Sequence, residues 1–346
     1  MAPSSQKALF LKERQGKFVV AETPVPKPGP GEVLVRVLAT SLNPIDWKIH
    51  KYGIWVEDYP AILGNDLSGV VEQVGEGVSE WKVGDRVFAQ AQVIPHTFAS
   101  FQQYALVSSA TLAKVPENIS IDEAASLPVT LSAAYVGLYQ SAPDGLGLTP
   151  PTSSETQGVY GGTPLVIIGG TGSVGQNVIQ LAKLSGCSPI IATASPSQFE
   201  HLKSLGATHV FDRKLSATEL KAAISAICPI PLKYAFDAIS IPETQEIAHN
   251  ALDEGGQIAI ISPIAISPAD GKSARRVIGL LRTPKNRELL ETLYHDKISG
   301  WLESGVIKPN NVEVLPGGLK GIPEGLERLQ AGKVSRSKLI ARPHED

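Results

Sequence analysis

The stretch Pro164-Leu165-Val166-Ile167-Ile168-Gly169-Gly170-Thr171-Gly172-Ser173-Val174-Gly175 leaves this chain few folds to choose from. Leu165 to Ile168 is an apolar run of strand length, and it enters G-x-G-x-x-G with glycines at 170, 172 and 175. From Gln176 to Leu184 the apolar residues then recur at helical spacing. Glycine permits a tight turn, lets backbone approach a pyrophosphate and lets the following helix lie close on the sheet. The helix start offers free N–H groups and the positive end of a dipole to phosphate. The motif alone is weak. With a strand before it and a helix after it, it reads as a dinucleotide site built from Gly170, Thr171, Gly172, Ser173, Val174 and Gly175.

Past this turn the pattern alternates. Pro189 to Ala194 reads as a second strand, a helix capped around Ser197 runs to Gly206, and His209 to Phe211 reads as a third strand. Tyr234 to Ile239 and Gln257 to Ile261 follow as two more, with helical stretches between. Repeated βαβ units imply a parallel sheet wrapped by helices, with ligands at the carboxyl ends of its strands.

The first 120 residues have a different texture. Glu32 to Leu38 alternates and is rich in β-branched residues, Ser68 to Gly77 and Val83 to Phe88 are further strand-and-turn units, and four prolines between Thr23 and Gly31 exclude a helix there. Ser120-Ile121-Asp122-Glu123 spells a capping box, followed by helix-forming residues to Gln140 that Pro128 kinks or restarts. Residues 141–163 turn to Gly, Pro, Ser and Thr, a long exposed loop. The tail regains a β flavour around one helix from Ile322 to Leu329.

The 346 residues suffice for about two domains. A net charge of −3 gives no electrostatic case for nucleic acid or an anionic membrane. Two cysteines, Cys187 and Cys228, make neither a disulfide framework nor a thiolate zinc site. The first residues lack the apolar core of a signal peptide and no run is long enough to span a bilayer, so the expectation is a cytoplasmic protein.

An NAD site usually places Asp or Glu at the end of the second strand, on the ribose 2′-hydroxyl. Here that strand ends Thr193-Ala194-Ser195-Pro196-Ser197, and no carboxylate comes before Glu200. Ser195 and Ser197 leave room for a 2′-phosphate, and Lys203 and Arg213 are nearby cations. The expected cofactor is NADPH. Thr130 and Ser132, at the start of the dinucleotide domain, and Ile261, at the end of a strand, complete the candidate cofactor residues.

Taken together, these pieces resemble the medium-chain dehydrogenase/reductase superfamily over nearly the whole chain. The matching motifs are Pro28 to Val35, Gly64-Asn65-Asp66-Leu67-Ser68-Gly69, Val74 to Val78, Val83-Gly84-Asp85-Arg86-Val87, the glycine turn and Gly255-Gly256, in that order. The resemblance implies an α/β protein: a GroES-like β domain from residues 1–125 and 305–346, and an inserted Rossmann domain, 126–304, with a doubly wound parallel sheet. Asn43-Pro44-Ile45-Asp46-Trp47-Lys48, Ala192 to Pro196 and Gly332 to Leu339 look most like its enoyl reductase branch, which contains fungal trans-acting enoyl reductases and toxD-like proteins. That branch implies a polyketide synthase as partner and a small-molecule substrate.

Zinc alcohol dehydrogenases of the superfamily carry a Cys near 41–43, Gly-His-Glu where this chain has Gly64-Asn65-Asp66, and a four-Cys lobe near 90–105. This chain has Ser41-Leu42-Asn43, no His at the second place and no Cys at the third; Asp66 and His96 read as ordinary polar residues, and no metal is expected. Without a Lewis acid, reduction of an activated C=C bond is the less demanding chemistry: the protein orients the acceptor, hydrogen-bonds the developing enolate and excludes water. Candidate catalytic residues are Asn43, Asp46, Lys48 and Tyr52. The resemblance puts Asn43 near the nicotinamide ribose or substrate and Lys48 in the active site. The residues alone also permit Asn43-Pro44 to shape a turn, Asp46 to cap a helix and Lys48 to be solvated. Expected is a zinc-independent NADPH reductase of α,β-unsaturated carbonyls or enoyl thioesters; a quinone oxidoreductase and a non-catalytic NADPH-binding sensor are the alternatives.

Overall fold

The computed structural model describes residues 2–345, and the chain divides into two compact units. One unit runs to Val129 and resumes at Leu290–Gly305 and from Pro309 on; the other is Thr130–Leu289 with Val306–Lys308.

The second unit is built on six parallel strands. Their order across the sheet is His209–Asp212, Ile190–Ala194, Leu165–Ile168, Tyr234–Asp237, Gln257–Ile260 and Ser273–Arg276. Leu165–Ile168 therefore pairs with the strand that follows it on one side and with Tyr234–Asp237 on the other. This reversal of strand order opens a crevice at the carboxyl ends, where ligands bind in such sheets. The central strands are apolar on both faces because helices cover both; Val166, Ile191, Ala235 and Ile258 are fully buried. The sixth strand, half-buried and reading Ser-Ala-Arg-Arg, lacks that apolar run and left no sequence signal.

The first unit is antiparallel β with one parallel pair, Val312–Val314 with Lys338–Ala341. Glu32–Ser41 is its central strand: it pairs with Asp66–Val74, with Tyr104–Ser108 and, at its end, with Lys338–Ala341. Val33, Val35 and Val37 alternate into a core with Leu67, Val71, Val87 and Val107. Strands from residues 32–114 and from residues 312–341 thus share one sheet. A second core holds Leu42 and Ile49 against Ile322, Leu326 and Leu339.

Three sequence expectations need correcting. Residues 290–304, expected in the dinucleotide domain, pack with the β unit: Leu290, Leu293, Tyr294, Ile298 and Leu302 are fully buried, and the Tyr294 hydroxyl donates to the Pro128 carbonyl at 2.8 Å. Residues 141–163 form no strand or helix, yet they are not merely exposed. Leu146 and Leu148 are buried, and the Gly158 and Tyr160 N–H groups donate to the Leu184 and Ser185 carbonyls, so the segment closes the end of the Ser173–Ser185 helix. Helix Gly318–Gln330 starts a turn before Ile322 and carries Pro323 inside it. The Pro128 restart is as expected: helices Ile121–Ala125, with its Ser120–Glu123 capping box, and Pro128–Tyr139 are separate.

Candidate functional site

In the second unit the glycine turn joins Leu165–Ile168 to helix Ser173–Ser185. Added side chains would meet very different surroundings. A Cβ at Gly175 would lie 2.4 Å from the Gly169 carbonyl oxygen and 2.9 Å from Gly170 Cα, and one at Gly170 would lie 2.8 Å from Leu202 Cδ1. At Gly172 nothing comes closer than 3.4 Å. Gly170 and Gly175 are needed for packing; Gly172 keeps a bare face of backbone open. Gly172 is also the helix N-cap and has no side chain to offer the first N–H groups. These residues fit a dinucleotide pyrophosphate.

The turn is stitched to the next strand: the Gly169 N–H donates to Thr193 Oγ1 at 3.1 Å, and the Gly170 N–H to the Thr193 carbonyl at 3.0 Å. Ser195 follows directly, half-exposed. The Arg213 N–H donates to the Ala194 carbonyl at 2.9 Å, which brings exposed Arg213 beside Ser195. Lys203 stands apart from that pair of bonds, on helix Phe199–Leu205, where it bridges to Glu200 at 2.9 Å. Ser197 does not cap this helix; the N-cap is Gln198, after a single 3₁₀ turn from Pro196. Thr130 Oγ1 accepts from Asn177 Nδ2 at 3.2 Å, and Ser132 is fully buried. The Ile261 N–H donates to Ser240 Oγ, whose backbone is left-handed at φ 60°. Asp237 holds that turn, accepting from the Ile239 and Ser240 N–H groups and from the Thr244 hydroxyl; burial raises its pKa against those bonds.

In the first unit helix Pro44–Tyr52 carries all the candidate catalytic residues but Asn43, its N-cap. Asp46 and Ile49 face inward. Lys48, half-buried, and Tyr52, 52% exposed, are one turn apart on another face. Lys48 Nζ lies 5.8 Å from the Trp47 ring centroid, within cation–π range.

Asn43 and Asp46 are committed to a buried polar cluster. Asn43 donates through Nδ2 to Asp66 Oδ2 at 2.7 Å and through its backbone N–H to Asp46 Oδ2 at 2.8 Å. Asp46 Oδ1 accepts from Asn65 Nδ2 at 2.8 Å. Asp66 Oδ2 also accepts from Ser41 Oγ at 2.6 Å and Lys338 Nζ at 3.4 Å, and Oδ1 from the Val129 N–H at 2.7 Å. Lys338 Nζ further donates to Asn43 Oδ1 and the Leu42 carbonyl. Burial pushes the Asp46 carboxyl up to about 7, with the Asp66 charge adding to the rise and the Asn43 and Asn65 bonds and the Lys338 charge opposing it. Burial lowers the Lys338 pKa against the pull of Asp66 and Asp46.

This cluster occupies the place where the resemblance puts zinc ligands, and its donors do not fit a metal. It offers two amides and two carboxylates around an ammonium, and Asp66 already accepts four hydrogen bonds. Among the described residues no three His, Cys, Asp or Glu side chains gather as a metal site. His96 bonds within its own loop, Nδ1 to the Val93 carbonyl at 2.9 Å. Sequence reasoning missed Lys338 and underread Asp66. No local signal links positions 43, 66 and 338; the signal available was a lysine at the head of an otherwise apolar strand, Lys338-Leu339-Ile340-Ala341.

The alcohol dehydrogenase GroES-like domain family matches residues 29–117, and the zinc-binding dehydrogenase family matches residues 173–275. A zinc-type alcohol dehydrogenase-like protein of Schizosaccharomyces pombe is 33% identical, over 97% of this chain and 99% of its own. The enoyl reductase component of the lovastatin nonaketide synthase of Aspergillus terreus is 31% identical, over 98% and 97%. Among solved structures, an alcohol dehydrogenase superfamily protein from Novosphingobium aromaticivorans matches with a TM-score of 0.80 at 25% identity, over 97% of this chain and 98% of that one. Similarity of this extent, carried through both units, makes the chain a member of the medium-chain dehydrogenase/reductase superfamily and an oxidoreductase.

Proposed function

We propose that this protein is an NADPH-dependent reductase of activated C=C bonds, in α,β-unsaturated carbonyls or enoyl thioesters, that works without a metal. The observation that carries this reading is the chemistry of the cluster at the start of helix Pro44–Tyr52: amides, carboxylates and an ammonium, with no imidazole or thiolate. Such a cluster offers no Lewis acid to hold an alkoxide, whereas an enolate oxygen asks only for a hydrogen-bond donor in a dry setting. Lys48, on the other face of the same helix, is that donor; Tyr52, one turn further, borders the acceptor.

NADPH would supply a hydride to the β carbon, and the resulting enolate would take a proton at its α carbon from Lys48 or from solvent. The chain's part is to hold the dinucleotide and the acceptor. Gly170 to Gly175 hold the pyrophosphate, Ser195 and Arg213 the 2′-phosphate, and Thr130 and Ile261 line the nicotinamide end. Exposed Ile239, Ile241, Ile264 and Ile278 follow the carboxyl ends of three neighbouring strands, which supports an apolar acceptor. The relative that is a polyketide synthase component supports carrier-bound enoyl thioesters as substrates and a synthase as partner.

The test is NADPH oxidation in the presence of a chelator, with an enoyl thioester, an enone and a simple quinone in parallel. Turnover of the thioester or enone is expected, with kcat lowered about 10²-fold in Lys48→Met, the low end for a lost proton or hydrogen-bond donor. Quinone-only turnover, or dependence on added zinc, would sink the proposal.

A further inference from the structure

Lys338 lies on the last strand, its side chain only 6% exposed, with three oxygens around Nζ: the Leu42 carbonyl, Asn43 Oδ1 and Asp66 Oδ2. An ammonium has three N–H groups, so every donor has an acceptor, and no donor points at the nitrogen. Asp66 is equally spoken for. The Asn43 amide sits between the two, its oxygen on the cation and its nitrogen on the anion, and only one orientation of the amide meets both charges. A buried ion pair of this kind does little for net stability but fixes a geometry strongly. What it fixes here is the residue from which helix Pro44–Tyr52 springs. The Asn43 N–H is held in turn by Asp46, which Asn65 holds, so the first turn of the helix is tied at two points.

We propose that Lys338 is a positioning residue: paired with Asp66, it clamps the Asn43 amide and so sets the place and direction of the helix that presents Lys48. A fixed organic cation stands in this cluster, and it acts one step removed from the substrate. The inference rests on the proposed role of Lys48.

The test compares Lys338→Met, which keeps the length and loses the charge, with Lys338→Arg, with Lys48→Met and with the double variant Lys338→Met/Lys48→Met. NADPH affinity is the control for the second unit, and the urea-unfolding midpoint of the whole chain is the control for the first, which holds Lys338. The expected result is a kcat at least tenfold lower in Lys338→Met with NADPH affinity unchanged, at least partial recovery in Lys338→Arg, and no further loss on adding Lys338→Met to Lys48→Met. Full kcat in Lys338→Met, or an equal loss in both backgrounds, overturns the clamp. Wild-type kcat in Lys48→Met instead overturns the functional reading and leaves the two failures distinct. Should Lys338→Met not fold, Asp66→Asn/Lys338→Met removes both charges together and carries the same expectations. Hydrogen exchange of the 44–52 amides reads the clamp without turnover: faster exchange in the Lys338 variant is expected, and unchanged protection overturns the proposal.

Discussion

The two units prepare for their tasks in opposite ways. In the dinucleotide unit the decisive surface is bare backbone: Gly172 presents no side chain and the helix behind it has no side-chain cap. In the β unit the decisive feature is a closed set of side chains, Ser41, Asn43, Asp46, Asn65, Asp66 and Lys338, each bonded to another. The first kind of site leaves hydrogen-bonding groups open for a ligand; the second uses them all up to hold a helix. An open backbone site tolerates change that adds no atoms, whereas a closed side-chain site tolerates change that removes no partner.

The sharpest way to break this contrast is within the glycine turn itself. Gly175→Val should abolish measurable NADPH binding, at least a 100-fold loss, and lower the melting temperature, because the new side chain meets backbone at 2.4 Å and 2.9 Å. Gly172→Ala should weaken NADPH at least tenfold and leave the melting temperature unchanged, since its φ of −64° suits alanine and the fold leaves room. Calorimetric titration and thermal melts on both variants decide it, and a melting change in Gly172→Ala would contradict the open face.

In the closed cluster the corresponding lever is pH. Asp46 titrates near 7 in the folded protein and near 3.8 unfolded, so the folded state binds the extra proton between those values. Its contribution is fully present below about pH 4 and is lost as pH rises through 7, a swing on the order of a few kcal/mol. Asp66 and Lys338 are the charges facing it. Urea unfolding at pH 5 and pH 8 should therefore show a larger fall for wild type than for Asp46→Asn, whose amide does not titrate. Equal falls would place the Asp46 pKa near its ordinary value.

The smallest expected effect is on cofactor choice. Ser195→Asp puts a carboxylate at the end of the second strand, where a 2′-phosphate is repelled and a 2′-hydroxyl is bonded. The ratio of kcat/KM for NADPH over NADH should fall by about tenfold, roughly 1.4 kcal/mol. An unchanged ratio would move 2′-phosphate recognition to Arg213 alone.

The same contrast explains what could be read from the sequence. The glycine turn and the first five parallel strands are local patterns, each set by residues within a dozen positions, and five of six strands were legible. The sixth, Ser273–Arg276, has too few apolar residues to announce itself. Asn43 and Asp46 were legible as candidates, but their partners were not, because Asp66 and Lys338 reach them only through sheet pairing of Glu32–Ser41 with strands far along the chain. Residues 290–304 show the same limit: nothing local in the chain tells which unit will bury them.

Lys338 also has a consequence for how the protein is made. Asp46 and Asp66 leave the ribosome well before their counter-ion, since Lys338 follows Asp66 by 272 residues. The stretch 130–289, continuous in sequence, can complete its sheet on the way, since domains fold as units during synthesis. The N-terminal unit then waits, with two carboxylates and an unclosed sheet edge, for a strand from the far end of the chain. The discontinuous unit can therefore close only after the continuous one has been made, although most of its residues are translated earlier.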